Sequence, residues 1–180
     1  MEQTLNWLPL AQVESTHADS RDRANAIENP AVWILDNSEF VNWIDVRASS
    51  ALWLHGRMDT GKMVLTSTVL EQMKSLYGTT ASGAFTFYYC STSITDANIT
   101  RSILGSILRQ LVQTGRGVEK FTNWRRIHSQ SDWTCNCLRD MIQKLIEMND
   151  KTQTTIIIDG LDELDAETLH ILLKILLHLL

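Results

Sequence analysis

Proline is nearly absent: the 180 residues hold two, Pro9 and Pro30, and none after residue 30. From there on nothing removes an amide donor or locks φ, so helices and strands can run without breaks. Cysteine is scarce too, with only Cys90, Cys135 and Cys137. A small odd count excludes a disulfide framework and favours a reducing, cytoplasmic compartment. Cys135 and Cys137 are two apart, which is not the CxxC spacing of zinc or redox sites, and His128 does not complete a zinc pattern. Met1 to Leu10 has no apolar core followed by a small-residue cleavage site, so no targeting segment is expected. Long hydrophobic runs are missing. The strongest, Leu169 to Leu180, has 12 residues and is crossed by His170, Lys174 and His178, against the roughly 20 that a bilayer demands. Those three polar residues are four apart and form one stripe on a helix capped by Asp165. Basic charge is also short: 16 Lys and Arg face 21 Asp and Glu, a net charge of −5. Arg116, Lys120, Arg125 and Arg126 gather around Trp124, a group too small to differ from a solvated surface. Neither nucleic acid nor membrane is therefore expected as a partner.

What is present suits a globular chain. Hydrophobic content of 44% with 21% charged residues leaves no case for disorder. A short helix is expected near Ser20 to Ile27 and another over Asp36 to Val46. Strands are expected at 51–55, 84–90 and 154–159, and helices at 62–77, 97–113, 134–148 and 166–180. The stretch 114–133 reads as irregular. Strands alternating with helices predict a parallel sheet with right-handed crossovers.

Residues 56 to 62 read Gly-Arg-Met-Asp-Thr-Gly-Lys. This GxxxxGK spacing lets a backbone curl so that its amides face phosphate oxygens while the lysine reaches the β and γ phosphates. The flanks agree: an apolar run at Ala51 to His55 precedes the loop. Val64, Leu65, Val69, Leu70, Met73 and Leu76 follow it on one helical face. A helix start would add free amides and the positive end of its dipole. Gly56, Arg57, Met58, Asp59, Thr60, Gly61, Lys62 and Met63 are thus candidate nucleotide-binding residues. Met63 stands where such loops place a Ser or Thr hydroxyl on Mg²⁺. A thioether is a poor substitute on a hard, oxygen-seeking cation.

Further on, Ile156-Ile157-Ile158-Asp159 is an apolar strand ending in a carboxylate, followed by Gly160-Leu161-Asp162-Glu163. In parallel sheets ligands sit beyond the carboxyl ends of the strands. Asp159 is accordingly the candidate metal residue, and Asp162 or Glu163 the candidate catalytic group that would orient or deprotonate a water.

The run from Ile156 to Leu164 resembles the hhhhD-G-h-D-E stretch of NACHT-type STAND NTPases. His17-Ala18-Asp19 to Arg21 and Trp33-Ile34-Leu35-Asp36-Asn37-Ser38-Glu39-Phe40-Val41-Asn42-Trp43 resemble the lead-in of nephrocystin-like NACHT modules abundant in fungal STAND proteins. Phe85 to Cys90 is similar to their second core strand, and Ile103 to Val112 to the helix after it. The resemblance implies an α/β fold, a three-layer P-loop NTPase core with a parallel sheet, C-terminally truncated after the Walker B helix. Residues 1–46 would be a helical lead-in and 47–180 a partial NACHT domain. It implies a switch domain binding ATP or GTP through a Walker A loop, with a weakened Mg²⁺ site, and at most a slow nucleoside triphosphatase. The alternative is a non-catalytic pseudo-NTPase fragment working through protein contacts. Other protein domains or self-association are the expected partners besides nucleotide.

Overall fold

A computed structural model of the chain describes residues 31–46, 48–57, 60–77, 83–90, 98–114, 118–127, 133–148 and 153–180. The helix expected near Ser20 to Ile27 lies outside them. The described residues up to Tyr77 belong to one compact unit and those from Gly83 to Leu179 to another.

In the first unit a 3₁₀ turn, Val32–Asp36, leads into helix α1, Ser38–Asp45. Asn37 separates them, because its side-chain oxygen accepts from the amides of Glu39 (3.0 Å) and Phe40 (3.2 Å) and so caps α1. Phe40 and Ile34 are each 2% exposed and anchor the pair. Helix α2, Lys62–Tyr77, begins and ends where its sequence pattern places it and packs on the 3₁₀ turn. Its buried side chains are Ser67, Val69, Leu70 and Met73, whereas Leu76, expected on the same face, is exposed.

The strand expected at 51–55 does not form: this segment is irregular, and Trp53 and Leu54 are 58% and 46% exposed. An apolar run becomes a strand only when a neighbour takes its amides and carbonyls. No described strand pairs with it.

The second unit is built on two strands, β1 (Gly83–Tyr89) and β2 (Gln153–Asp159), parallel and in register from Gly83 opposite Gln153 to Tyr89 opposite Asp159. A parallel pair needs a long crossover. Among the described residues it contains three helices: α3 (Ile99–Gln113), α4 (Val118–Ile127) and α5 (Cys135–Glu147). After β2 come a 3₁₀ turn, Leu161–Glu163, and helix α6, Ala166–Leu179. Helix α3 is the hub, touching β1, α4, α5 and α6. Every residue from Ile103 to Leu108 is buried, as in a helix enclosed on several sides.

The described residues therefore form a helix-rich molecule with one two-stranded sheet. This overturns the expected three-layer P-loop core, whose breadth of parallel sheet is not present among them. Helices supply most of the core instead: Leu138, Met141, Ile142 and Leu145 of α5 are buried with the apolar residues of α3, which α5 packs against. The stretch expected to be irregular, 114–133, contains α4. Phe121, 0% exposed, locks α4 in place. It lies 6.3 Å from Trp124 and 6.2 Å from Trp133, and the two tryptophans are 5.0 Å apart.

Two details show how β1 is held. Gln110 of α3 brackets Phe87, its Oε1 accepting from the Phe87 amide (3.0 Å) and its Nε2 donating to the Phe87 carbonyl (2.8 Å). A side chain thus satisfies one residue of β1 as a neighbouring strand would. Thr86, next to it, is fully buried, and its hydroxyl has no partner among the described residues. Thr86→Val keeps the branched shape and removes that desolvated oxygen, so it is expected to stabilise the protein by about 1 kcal/mol in urea unfolding. A Val variant less stable than the parent would show that the hydroxyl is satisfied.

Candidate functional site

The glycine loop is exposed and ends at the first residue of α2. Gly61 adopts φ 81°, a left-handed turn open to glycine at little cost, and its carbonyl accepts the first helical bond from the Leu65 amide at 2.9 Å. Lys62 folds back over the loop: its Nζ donates to the carbonyls of Gly56 (3.0 Å) and Arg57 (3.1 Å). Thr60 Oγ1 donates to the same Arg57 carbonyl at 2.8 Å. A Cβ at residue 56 would come within 2.9 Å of that hydroxyl, so glycine fits the closed form of the loop. Met63, 36% exposed, carries its thioether one residue further on. Met58 and Asp59 lie outside the described residues. Lys62 is the first residue of α2, where the helix dipole presents its positive end, and its ammonium is held by the two loop carbonyls.

The acidic segment is organised around the end of the β1–β2 ladder. The Cys90 amide donates to the Asp159 carbonyl at 2.8 Å, carrying the pairing one step past β1. Gly160 then turns the chain with φ 75°, and its amide donates to Asp159 Oδ1 at 2.9 Å. A Cβ on residue 160 would stand 2.8 Å from the Cys90 carbonyl oxygen, so only glycine allows this approach. The 3₁₀ turn is closed by the Glu163 amide on the Gly160 carbonyl at 2.9 Å, and it leaves Asp162 and Glu163 exposed. Asp165 caps α6, accepting from the Glu167 and Thr168 amides (3.0 and 2.9 Å) and from Thr168 Oγ1 (2.6 Å). The Thr168 hydroxyl, followed by these amides, holds its carboxyl below the usual range.

Asp159, Glu163 and Asp162 converge electrostatically on one group. Burial first, then these three carboxylates in that order, push the Cys90 thiol up to about 12. The sequence alone places Cys90 in a strand and assigns Gly160 no role of its own. The signal is nonetheless there, in the Asp-Gly pair ending an apolar strand, a place where the backbone must reverse against something.

The glycine loop belongs to the first unit and the acidic turn to the second. Among the described residues no three His, Cys, Asp or Glu side chains gather to hold a metal ion. Mg²⁺ takes an octahedron of oxygen atoms. Asp159 has one oxygen engaged by the Gly160 amide, and Met63 offers sulfur. Taken each by itself, neither the glycine loop nor the acidic turn offers the oxygen donors of a protein-built magnesium site among the described residues. No described helix is long and apolar enough to cross a membrane.

At family level the assignment is firm: residues 30–180 match the model of the Nephrocystin 3, N-terminal family, and the chain belongs to that family. It is also similar to the vegetative incompatibility protein HET-E-1 of Podospora anserina, 21% identical over 150 residues. That match takes in 78% of this chain and 10% of the other, so the chain spans about a tenth of the length of this curated relative. Together they support a distant link to STAND/NACHT proteins. No solved structure matches the chain.

Proposed function

We propose that this chain is a non-catalytic, pseudo-NTPase module of a STAND/NACHT-type protein, acting through protein contacts. The donor set carries this reading. Turnover of a nucleoside triphosphate in such sites relies on a metal bridging the β and γ phosphates, and Met63 puts sulfur where such a loop needs an oxygen ligand. The family link and the exposed apolar side chains of the first unit, Trp33 and Trp53, support contact with other protein.

One observation favours a second reading, in which the loop binds ATP or GTP as a switch with little hydrolysis. The left-handed turn at Gly61 delivers Lys62 to the start of α2, the arrangement suited to a phosphate. Gly56 to Met63 would then be the nucleotide-binding residues, Asp159 would approach the metal, and Asp162 or Glu163 would act on a water. Binding of a fluorescent ATP or GTP analogue, measured in Mg²⁺ and in EDTA alongside phosphate release, tests both. Equal affinity in the two conditions and no turnover are expected. Hydrolysis at roughly 1 per second or faster would refute the non-catalytic reading. Where nucleotide binds, Lys62→Ala should weaken it about ten- to a hundredfold, because a charge-assisted contact to phosphate is lost. Met63→Ser should make binding respond to Mg²⁺. Binding unaffected by Lys62→Ala would remove the phosphate-loop assignment.

A further inference from the structure

The polar stripe of α6 does not face solvent alone: it forms one wall of an open groove of about 570 Å³ whose other wall is the start of α5. His170, Lys174 and His178 line it from α6, and Arg139 from α5. At one helical turn between neighbours, the three α6 side chains span about 12 Å. Arg139 is already engaged, donating to Asp140 Oδ1 at 2.7 Å and to Asn136 Oδ1 at 3.1 Å, so it fixes the wall. Lys174 has no hydrogen-bond or ion-pair partner among the described residues, and the same holds for the two imidazoles. No described residue lining the groove is acidic, although the chain as a whole carries a net charge of −5. With Arg139 paired to Asp140, Lys174 is the uncompensated cation of the lining, opposite in sign to the net charge of the molecule. Between the polar side chains the floor is apolar, formed by Ile175 and by Ile171, which is 42% exposed.

We propose that this groove binds a short acidic peptide segment of a partner protein, one in which carboxylates alternate with an apolar side chain. The charge sign selects carboxylates, and the spacing along α6 selects an extended ligand rather than a single anion. The isoleucine floor separates a peptide from an inorganic polyanion, since only the peptide gains by covering apolar surface. This deepens the protein-contact reading of the chain and rests on it. Its test is independent of nucleotide, so failure here leaves the Mg²⁺ and turnover result standing.

Fluorescence anisotropy of a labelled ten-residue peptide of alternating Glu and Leu, titrated with the full chain, is the measurement. Its Gln counterpart serves as the neutral control. The Glu peptide is expected to bind, to weaken with added salt, and to lose about tenfold affinity on Lys174→Glu. His170→Gln with His178→Gln should weaken it further. Lys174 is exposed, so an unchanged melting curve for Lys174→Glu will certify the fold. Equal binding of the Gln peptide, or full affinity in Lys174→Glu, overturns the proposal. So does tripolyphosphate competing as well as the Glu peptide, which would make the groove a phosphate site. Self-association of the chain abolished by Lys174→Glu would also overturn it, by naming a second copy as the occupant.

Discussion

Gly160→Ala is expected to destabilise the chain by about 3 kcal/mol or more. Two costs combine. A residue with a Cβ pays roughly 1–2 kcal/mol to hold the left-handed conformation, and φ is 75° here. The new methyl would also lie 2.8 Å from the Cys90 carbonyl oxygen, which cannot retreat because the Cys90 amide is tied to Asp159. Relieving such overpacking costs typically about 1–3 kcal/mol. Gly61 provides the control, since it has a similar φ of 81° with nothing within 4 Å of the place a methyl would take. Gly61→Ala should therefore show the conformational cost alone. Urea unfolding of the two variants, followed by circular dichroism, separates the effects. Equal losses for both would mean that the backbone around Cys90 yields, and that the close approach at Gly160 contributes nothing.

Helix α2 is legible from its own residues because its periodicity, loop and end signal are local. The same holds for β2, whose β-branched run ends at the Asp-Gly pair, and for α5, where the Thr134 hydroxyl accepts from the Cys137 amide at 3.3 Å. Ala51 to His55 fails as a strand for a non-local reason. Its composition is right, yet strand identity is conferred by a partner, and no described strand supplies one. The expectation of a wide sheet comes from treating that segment as paired and from the family resemblance. Helix α4 escapes a sequence reading for the opposite reason. Glycines before it and tryptophans within and after it suggest an irregular stretch, but Phe121 and Trp124 are three apart and share a helical face. Their contact with Trp133, nine residues beyond Trp124 in sequence, supplies the burial that holds the helix.

The candidate site divides in the same way. The loop residues and the acidic residues are legible by type and spacing. Which atoms occupy one another is not, since that depends on backbone direction. Lys62 donating to Gly56 and Arg57, and Gly160 pressed on Cys90, emerge only from geometry. Cys90 acquires its character from burial first and then from charges some seventy residues away, neither of which a local pattern encodes.

That thiol gives the stability of the protein a distinctive alkaline limb. Its folded pKa is raised from 9.0 to about 12, by burial and then by Asp159, Glu163 and Asp162. The neutral form is thus favoured by folding. Below pH 9 both folded and unfolded chains hold the proton, and the stabilisation is fully present. As pH rises from 9 towards 12 the unfolded thiol ionises first, the unfolded state binds fewer protons, and stability falls. The limiting slope for one proton is about 1.4 kcal/mol per pH unit. Screening by water around the exposed carboxylates narrows the pH interval over which this slope applies and leaves the slope itself unchanged. Tyrosines and lysines titrate in the same range, so the informative quantity is the difference between the parent and Cys90→Ala. That difference should stay flat from pH 7 to 9 and shrink by up to about 1.4 kcal/mol per unit above it. The thiolate absorbance near 240 nm that is lost in Cys90→Ala, taken as the difference between parent and variant, reads the ionisation of this thiol apart from Cys135 and Cys137. Parallel stability profiles for parent and variant, or a native thiol that ionises near pH 9, would dissociate Cys90 from the acidic turn. Neutralising the turn with Asp162→Asn and Glu163→Gln should bring the thiol down without altering its burial, which separates the charge contribution from the larger one due to desolvation.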